Sequence, residues 1–96
     1  MPPITRIGDL SSGDPCGAPS HPPIVGSPNV FVEKIPAVRV GDQYADHACP
    51  ASSSHSSSAS SGSSTVFVNG KPVHRIGDSV SCGSTSSKGA GTVSAG

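Results

Sequence analysis

The chain has 96 residues, with six Lys and Arg against six Asp and Glu, and so carries no formal net charge. That length holds one small domain, residues 1–96. With 12% charged and 3% aromatic residues there is neither a basic stripe to neutralise phosphates nor a platform to stack bases, which excludes nucleic acid as a partner. No run approaches the roughly 18 apolar residues of a membrane span, and the first residues lack the charged start and apolar stretch of a secretory signal. Synthesis in the cytoplasm, without a stable membrane anchor, is expected.

Ser, Gly and Pro make up 42 of the 96 residues, which leaves little from which to build helix interiors. An all-β chain with little or no helix is expected. Leu, Ile, Val and Phe number only 18, so the core is thin and calls for a staple, either a metal ion or a partner surface.

In chain order, the first recognisable element is Arg6-Ile7-Gly8-Asp9, which matches the returning arm of a repeat found twice further on. That repeat appears when residues 26–42 (GSPNVFVEKIPAVRVGD) are laid over residues 62–78 (GSSTVFVNGKPVHRIGD), where nine of seventeen positions are identical. Each copy reads as a β-hairpin. In the second, Val66, Phe67 and Val68 form one arm, Asn69-Gly70 supplies the positive φ angles of a type I′ turn, and residues 73–76 return. The first copy has Glu33-Lys34 at that point, residues that resist positive φ, so a longer turn beginning near Val32 is expected there. Residues 89–93 (GAGTV) resemble the opening arm, so the third copy is split between the chain ends. If the ends pair, three similar hairpins surround one axis in a closed pseudo-threefold arrangement, and two exposed strand edges are removed.

Three loops separate the hairpins, at 10–25, 43–61 and 79–88. The serine run at 52–64 would be read as a flexible linker on composition alone, but His47 and His55 nearby argue against that. An odd count of three cysteines, Cys16, Cys49 and Cys82, without a signal peptide disfavours a disulfide framework and makes a metal site the competing explanation. Asp9 is followed by Cys16 and His21, Asp42 by His47, Cys49 and His55, and Asp78 by Cys82. Loops leaving equivalent ends of a closed three-hairpin body converge, so their imidazoles and thiolate can surround one tetrahedral ion, and zinc suits those donors best. The set His21, His47, His55 and Cys82 draws on every loop. Cys49 or Cys16 could replace one histidine, or be a plain packing residue. His74 lies in a strand, aligned with Val38, and reads as an exposed or packed histidine whose replacement should change neither metal content nor stability.

Four protein ligands leave zinc no open position for water, so the site would be structural and the protein not an enzyme. Were one histidine absent from the shell, water could enter, with Asp46 the nearest base by sequence, and a zinc hydrolase would need considering. No phosphate-cradling Gly loop or nucleophile elbow is present. A free-standing zinc-binding adaptor is the other alternative.

The repeated Gly-Ser-x-x-Val-Phe-Val, then Pro-x-x-Arg-(Val/Ile)-Gly-Asp, with His and Cys in the loops, resembles the PAAR-repeat family over nearly the whole chain. The naming motif stands as Pro36-Ala37-Val38-Arg39 and Pro72-Val73-His74-Arg75, departing at the middle positions. The resemblance implies a small cone of short β-hairpins with a zinc-stapled apex, capping a trimeric β-helical spike protein, one monomer per trimer, in a type VI secretion system or a contractile phage tail. It implies one zinc held by three His and one Cys, which map onto His21, His47, His55 and Cys82. It also implies a base made by the 30–32 and 66–68 arms, assembly at the spike tip, and delivery into the target cell envelope with only transient membrane contact. The compact form, with no toxin cargo encoded, tilts the reading towards a phage-like tail.

Overall fold

The computed structural model describes residues 1–12, 20–48, 54–81 and 83–96, apart from the side chains at 46–48 and 54–56. The described residues contain short strands and no helix, and none of them forms a helix long and apolar enough to cross a membrane. Three two-stranded antiparallel ribbons pair β1 (Phe31–Val32) with β2 (Ile35–Pro36), β3 (Gln43–Ala48) with β4 (Ser54–Ser58), and β5 (Phe67–Val68) with β6 (Lys71–Pro72).

The two repeat hairpins have the same register. Phe31 pairs with Pro36 and Val32 with Ile35, just as Phe67 pairs with Pro72 and Val68 with Lys71. Both therefore close through two residues, which corrects the expectation of a longer first turn. Glu33 and Lys34 adopt φ of 53° and 70°, beside 54° and 78° at Asn69 and Gly70. Left-handed backbone costs a residue with a Cβ about 1–2 kcal/mol. Long-range contacts of Glu33 offset it: its carboxylate accepts from Arg6 Nη1 at 2.8 Å, from the Gly91 and Thr92 amides at 3.2 and 2.9 Å, and from Thr92 Oγ1.

A third copy of the repeat hairpin, outside β1 to β6, is assembled from both ends of the chain. Pro3 pairs with Ser94, the Ile4 amide donates to Val93 (3.0 Å), and the Ala90 and Ala95 amides donate to Ile4 and Pro2 (2.8 and 3.0 Å). Pro3-Ile4-Thr5-Arg6 thus takes the place of Pro36-Ala37-Val38-Arg39 and Pro72-Val73-His74-Arg75.

The three copies close on one another in rings of backbone hydrogen bonds. The Thr5 amide donates to His74 (2.9 Å), His74 to Val38 (2.9 Å) and Val38 back to Thr5 (3.0 Å). A second ring runs from Ile7 to Pro36 (3.1 Å), Val40 to Pro72 (2.9 Å) and Ile76 to Pro3 (3.0 Å). Both rings relate the copies by a pseudo-threefold axis. Around it Arg6, Arg39 and Arg75 each clasp the aspartate three residues on, Asp9, Asp42 and Asp78, with Nε to Oδ2 at 2.8 Å in every copy. At Asp78 burial raises the carboxyl pKa, but hydrogen bonds from the Arg75 side chain and amide outweigh it and hold the group below its ordinary value. The intervening Gly8, Gly41 and Gly77 take φ of 90–95°, where only glycine is unstrained.

Close approach explains the glycine that opens each repeat. A Cβ on Gly26, Gly62 or Gly89 would lie 2.9, 2.5 or 2.8 Å from the carbonyl oxygen of Ala37, Val73 or Ile4 respectively. One apolar cluster sits within the ribbons (Ile4, Val32, Ala37, Val68, Val73, Ala90, Ala95), and a second gathers Val38, Tyr44, Ala59 and Val80.

His74 is the titratable member of the axial triad. It is fully buried. Its Nδ1–H donates to the Ser61 carbonyl at 2.8 Å, so Nε2 accepts from the Tyr44 hydroxyl, also at 2.8 Å. The residue is packed rather than exposed, and its hydrogen bonds to Tyr44 and Ser61 argue against the expectation that replacing it leaves stability untouched.

Two substitutions test this packing. Lys34→Gly should stabilise the fold by about 0.5–1 kcal/mol by removing left-handed strain, less the entropy gained by the unfolded chain; urea unfolding that shows a loss would contradict the turn geometry. His74→Val should cost about 1–3 kcal/mol near pH 8, because the Tyr44 hydroxyl and Ser61 carbonyl lose their partner. Burial above all lowers the His74 pKa from its ordinary 6.5. Below pH 6.5 the unfolded chain therefore binds a proton that the native state refuses. The His74 contribution is complete above that pH and is lost as pH falls through the lowered native value. Urea titrations between pH 8 and 5 should show a shallower acid loss in His74→Val than in the unmodified chain, and parallel curves would contradict the neutral assignment.

Candidate metal centre and base

Beyond the Arg–Asp clasps the loops form a second circuit. The first meets the second at Pro23 and Tyr44, the second meets the third at Ala59 and Val80, and the third returns to the first at Ser86 and Ser11. Further bonds reinforce each junction, including Ile24 N to Gln43 O (2.9 Å), Ser60 N to Ser79 O (3.0 Å) and Ser12 N to Thr85 O (2.7 Å).

This circuit brings the backbone around the candidate ligands together. Pro22, next to His21, accepts from the Ala45 amide at 2.8 Å and so holds His21 beside β3. Within the ribbon of β3 and β4, His47 is the register partner of His55. Ser81, next to Cys82, donates its amide to Ser58 at 2.9 Å and its Oγ accepts from the Ser58 amide at 3.0 Å, which ties that loop to β4. Cys16, Cys49 and Cys82 lie outside the described residues, as do the side chains of Asp46, His47 and His55. Among the described side chains no three metal-capable groups are gathered, and of the four favoured ligands only His21 is one of them.

His21 is 4% exposed. Its ring stands edge-on to Tyr44, with centroids 5.6 Å apart and planes at 76°, and Tyr44 in turn meets His74 at 5.8 Å and 81°. Tyr44, fully buried, thus links the loop histidine to the axial one. Ser11 Oγ lies 3.3 Å from His21 Nδ1 and accepts from the His21 amide at 3.3 Å. Ser57, the register partner of Tyr44 and two residues from His55 in β4, is 4% exposed. Among the described residues its Oγ is the buried side-chain polar atom with no hydrogen-bond partner. Buried hydroxyls are ordinarily satisfied, so an orphan beside the ligand-bearing register fits a centre at which a further polar group is held. The donor set of imidazoles with a thiolate also suits zinc.

Tyr44, Ser11 and Ser57 escaped the sequence reading. Tyr44 could have been found as the one tyrosine of the chain, three residues before His47. The serines could not be told apart from the other eighteen.

A different surface lies beside the hairpin turns. Phe31 and Phe67 occupy equivalent positions and are each 56% exposed, while their neighbours Val32 and Val68 are buried. In the third copy of the repeat, built from the chain ends, Ser94 holds the corresponding place, opposite Pro3.

No curated protein matches this sequence. The PAAR motif model matches residues 16–86, a span that contains both complete hairpins, their Arg–Asp clasps and every candidate ligand. The chain belongs to the PAAR motif family.

Proposed function

We propose that this protein is the tip of the spike in a contractile injection machine, a phage tail or a type VI secretion system, where it caps a trimeric β-helical needle with one chain per trimer. Membership of the PAAR motif family suggests the spike-tip role. The observation that carries the finer reading is the pair of backbone hydrogen-bond rings, which give a single chain the symmetry of a threefold needle. The exposed Phe31 and Phe67 offer apolar contacts to such an end, and pairing there would cover strand edges. The loops would form the narrow end of a cone.

The donors of that narrow end suit one zinc ion, with His21, His47, His55 and Cys82 as its ligands. Bound there, zinc would supply a cross-link among the three loops, not a site for activating water. The remaining work falls to the chain itself. The rings and clasps hold the three loop bases at fixed separations, Tyr44 braces the His21 ring against the axis, and the thin ribbons transmit thrust from the needle. The role is structural rather than catalytic. The chain would be made in the cytoplasm, assembled on the spike and delivered with it into the target envelope.

Purification with a trimeric β-helical spike protein should yield one chain per trimer, and Phe31→Asp with Phe67→Asp should weaken that complex at least tenfold. Free chain with no affinity for any such needle would favour an adaptor instead. For the metal, the purified chain should hold one zinc; His21→Ala or Cys82→Ala should lower both zinc content and thermal midpoint, whereas His74→Val should retain the ion. Retention of full zinc by His21→Ala, with loss in His74→Val, would overturn the ligand set.

A further inference from the structure

We propose that Ser11 is a positioning residue for the metal centre, fixing the tautomer of His21 so that Nε2 is the atom offered to the ion. This rests on the metal reading above. The Ser11 hydroxyl is 1% exposed and has one proton, which it donates to the Ser12 carbonyl at 2.9 Å. With that proton committed, Oγ faces His21 as an acceptor. It receives the His21 backbone amide and lies 3.3 Å from Nδ1, so Nδ1 carries the hydrogen and Nε2 the lone pair. An imidazole ligates through its unprotonated nitrogen, and the hydrogen bond made by the other nitrogen decides which one that is.

The serine is itself held from three sides. Its amide donates to the His21 carbonyl at 2.9 Å, so residues 11 and 21 are cross-linked by backbone as well as by side chain. Ser11 also bridges to Ser86 of the third loop. The Ser86 hydroxyl shares a 2.6 Å hydrogen bond with Thr5 Oγ1 in the axial triad. The orientation of the His21 ring is therefore referred to the pseudo-threefold axis through Ser11 and Ser86 on one side and through Tyr44 and His74 on the other.

The test uses the full-length chain loaded with Zn2+ alone. Long-range proton–nitrogen correlation spectra of the unmodified protein should show His21 with a protonated Nδ1 and a zinc-bound Nε2. Competition against a chromophoric chelator should show zinc held about 10–100-fold more weakly by Ser11→Ala, the usual range for loss of a group behind a metal ligand. Ser11→Thr, which keeps the hydroxyl, should recover most of that loss. A zinc-bound Nδ1 in the unmodified protein, or unchanged affinity in Ser11→Ala, would overturn the role of Ser11 while leaving the metal centre standing. Unchanged zinc affinity in His21→Ala would remove the metal reading, and this inference with it.

Discussion

The structure depends on a closed circuit of three backbone hydrogen bonds among Thr5, Val38 and His74. Each such bond contributes only about 0.5–1.5 kcal/mol net, yet the circuit decides the topology. It requires three copies of the repeat whose chains pass the axis at the same height, and the third exists only because the two ends of the chain pair. The ribbons have little apolar mass with which to hold themselves together, so polar geometry takes over work that a larger core would do. The parallel ring at Ile7, Val40 and Ile76, the Arg–Asp clasps and the carbonyl contacts of Gly26, Gly62 and Gly89 all repeat with the same threefold relation.

That geometry gives the family motif a physical meaning. The proline carbonyl closes the second ring, the next residue faces the close-approaching glycine of its own repeat, the third sits on the axis and the arginine makes the clasp. The axial position is crowded, and Thr5, Val38 and His74 fill it with three different side chains. The histidine is tolerated because Tyr44 and Ser61 satisfy both ring nitrogens, and the threonine because Ser86 pairs with its hydroxyl. Pseudo-symmetry is thus strict in the backbone and relaxed in the side chains, as the Phe31, Phe67 and Ser94 positions also illustrate.

Much of this was legible in the sequence because the repeat is. The hairpins, the Gly-Asp bends and the split third copy follow from residue identities alone. The first turn was misread because the contacts that offset strain at Glu33 come from Arg6, Gly91 and Thr92, none of them local. Strand β4 was hidden by its serines, which give no apolar alternation; it forms because β3 and the Ser81 loop supply hydrogen bonds on both sides. At the candidate site, the approach of the loops to one another could be inferred, and the backbone pairs His47 with His55. The roles of Ser11 and Tyr44 depend on distances that no spacing encodes.

The most direct measurement of this account is amide hydrogen exchange, resolved residue by residue, on the intact chain. Closure of the circuit requires the amides of Thr5, Val38 and His74 to exchange through one common opening, slowest in the molecule, with Ile7, Val40 and Ile76 close behind. Fast exchange at Thr5 beside slow exchange at Val38 and His74 would mean that the N-terminal segment is not part of the ring, and the threefold body built on it would not stand.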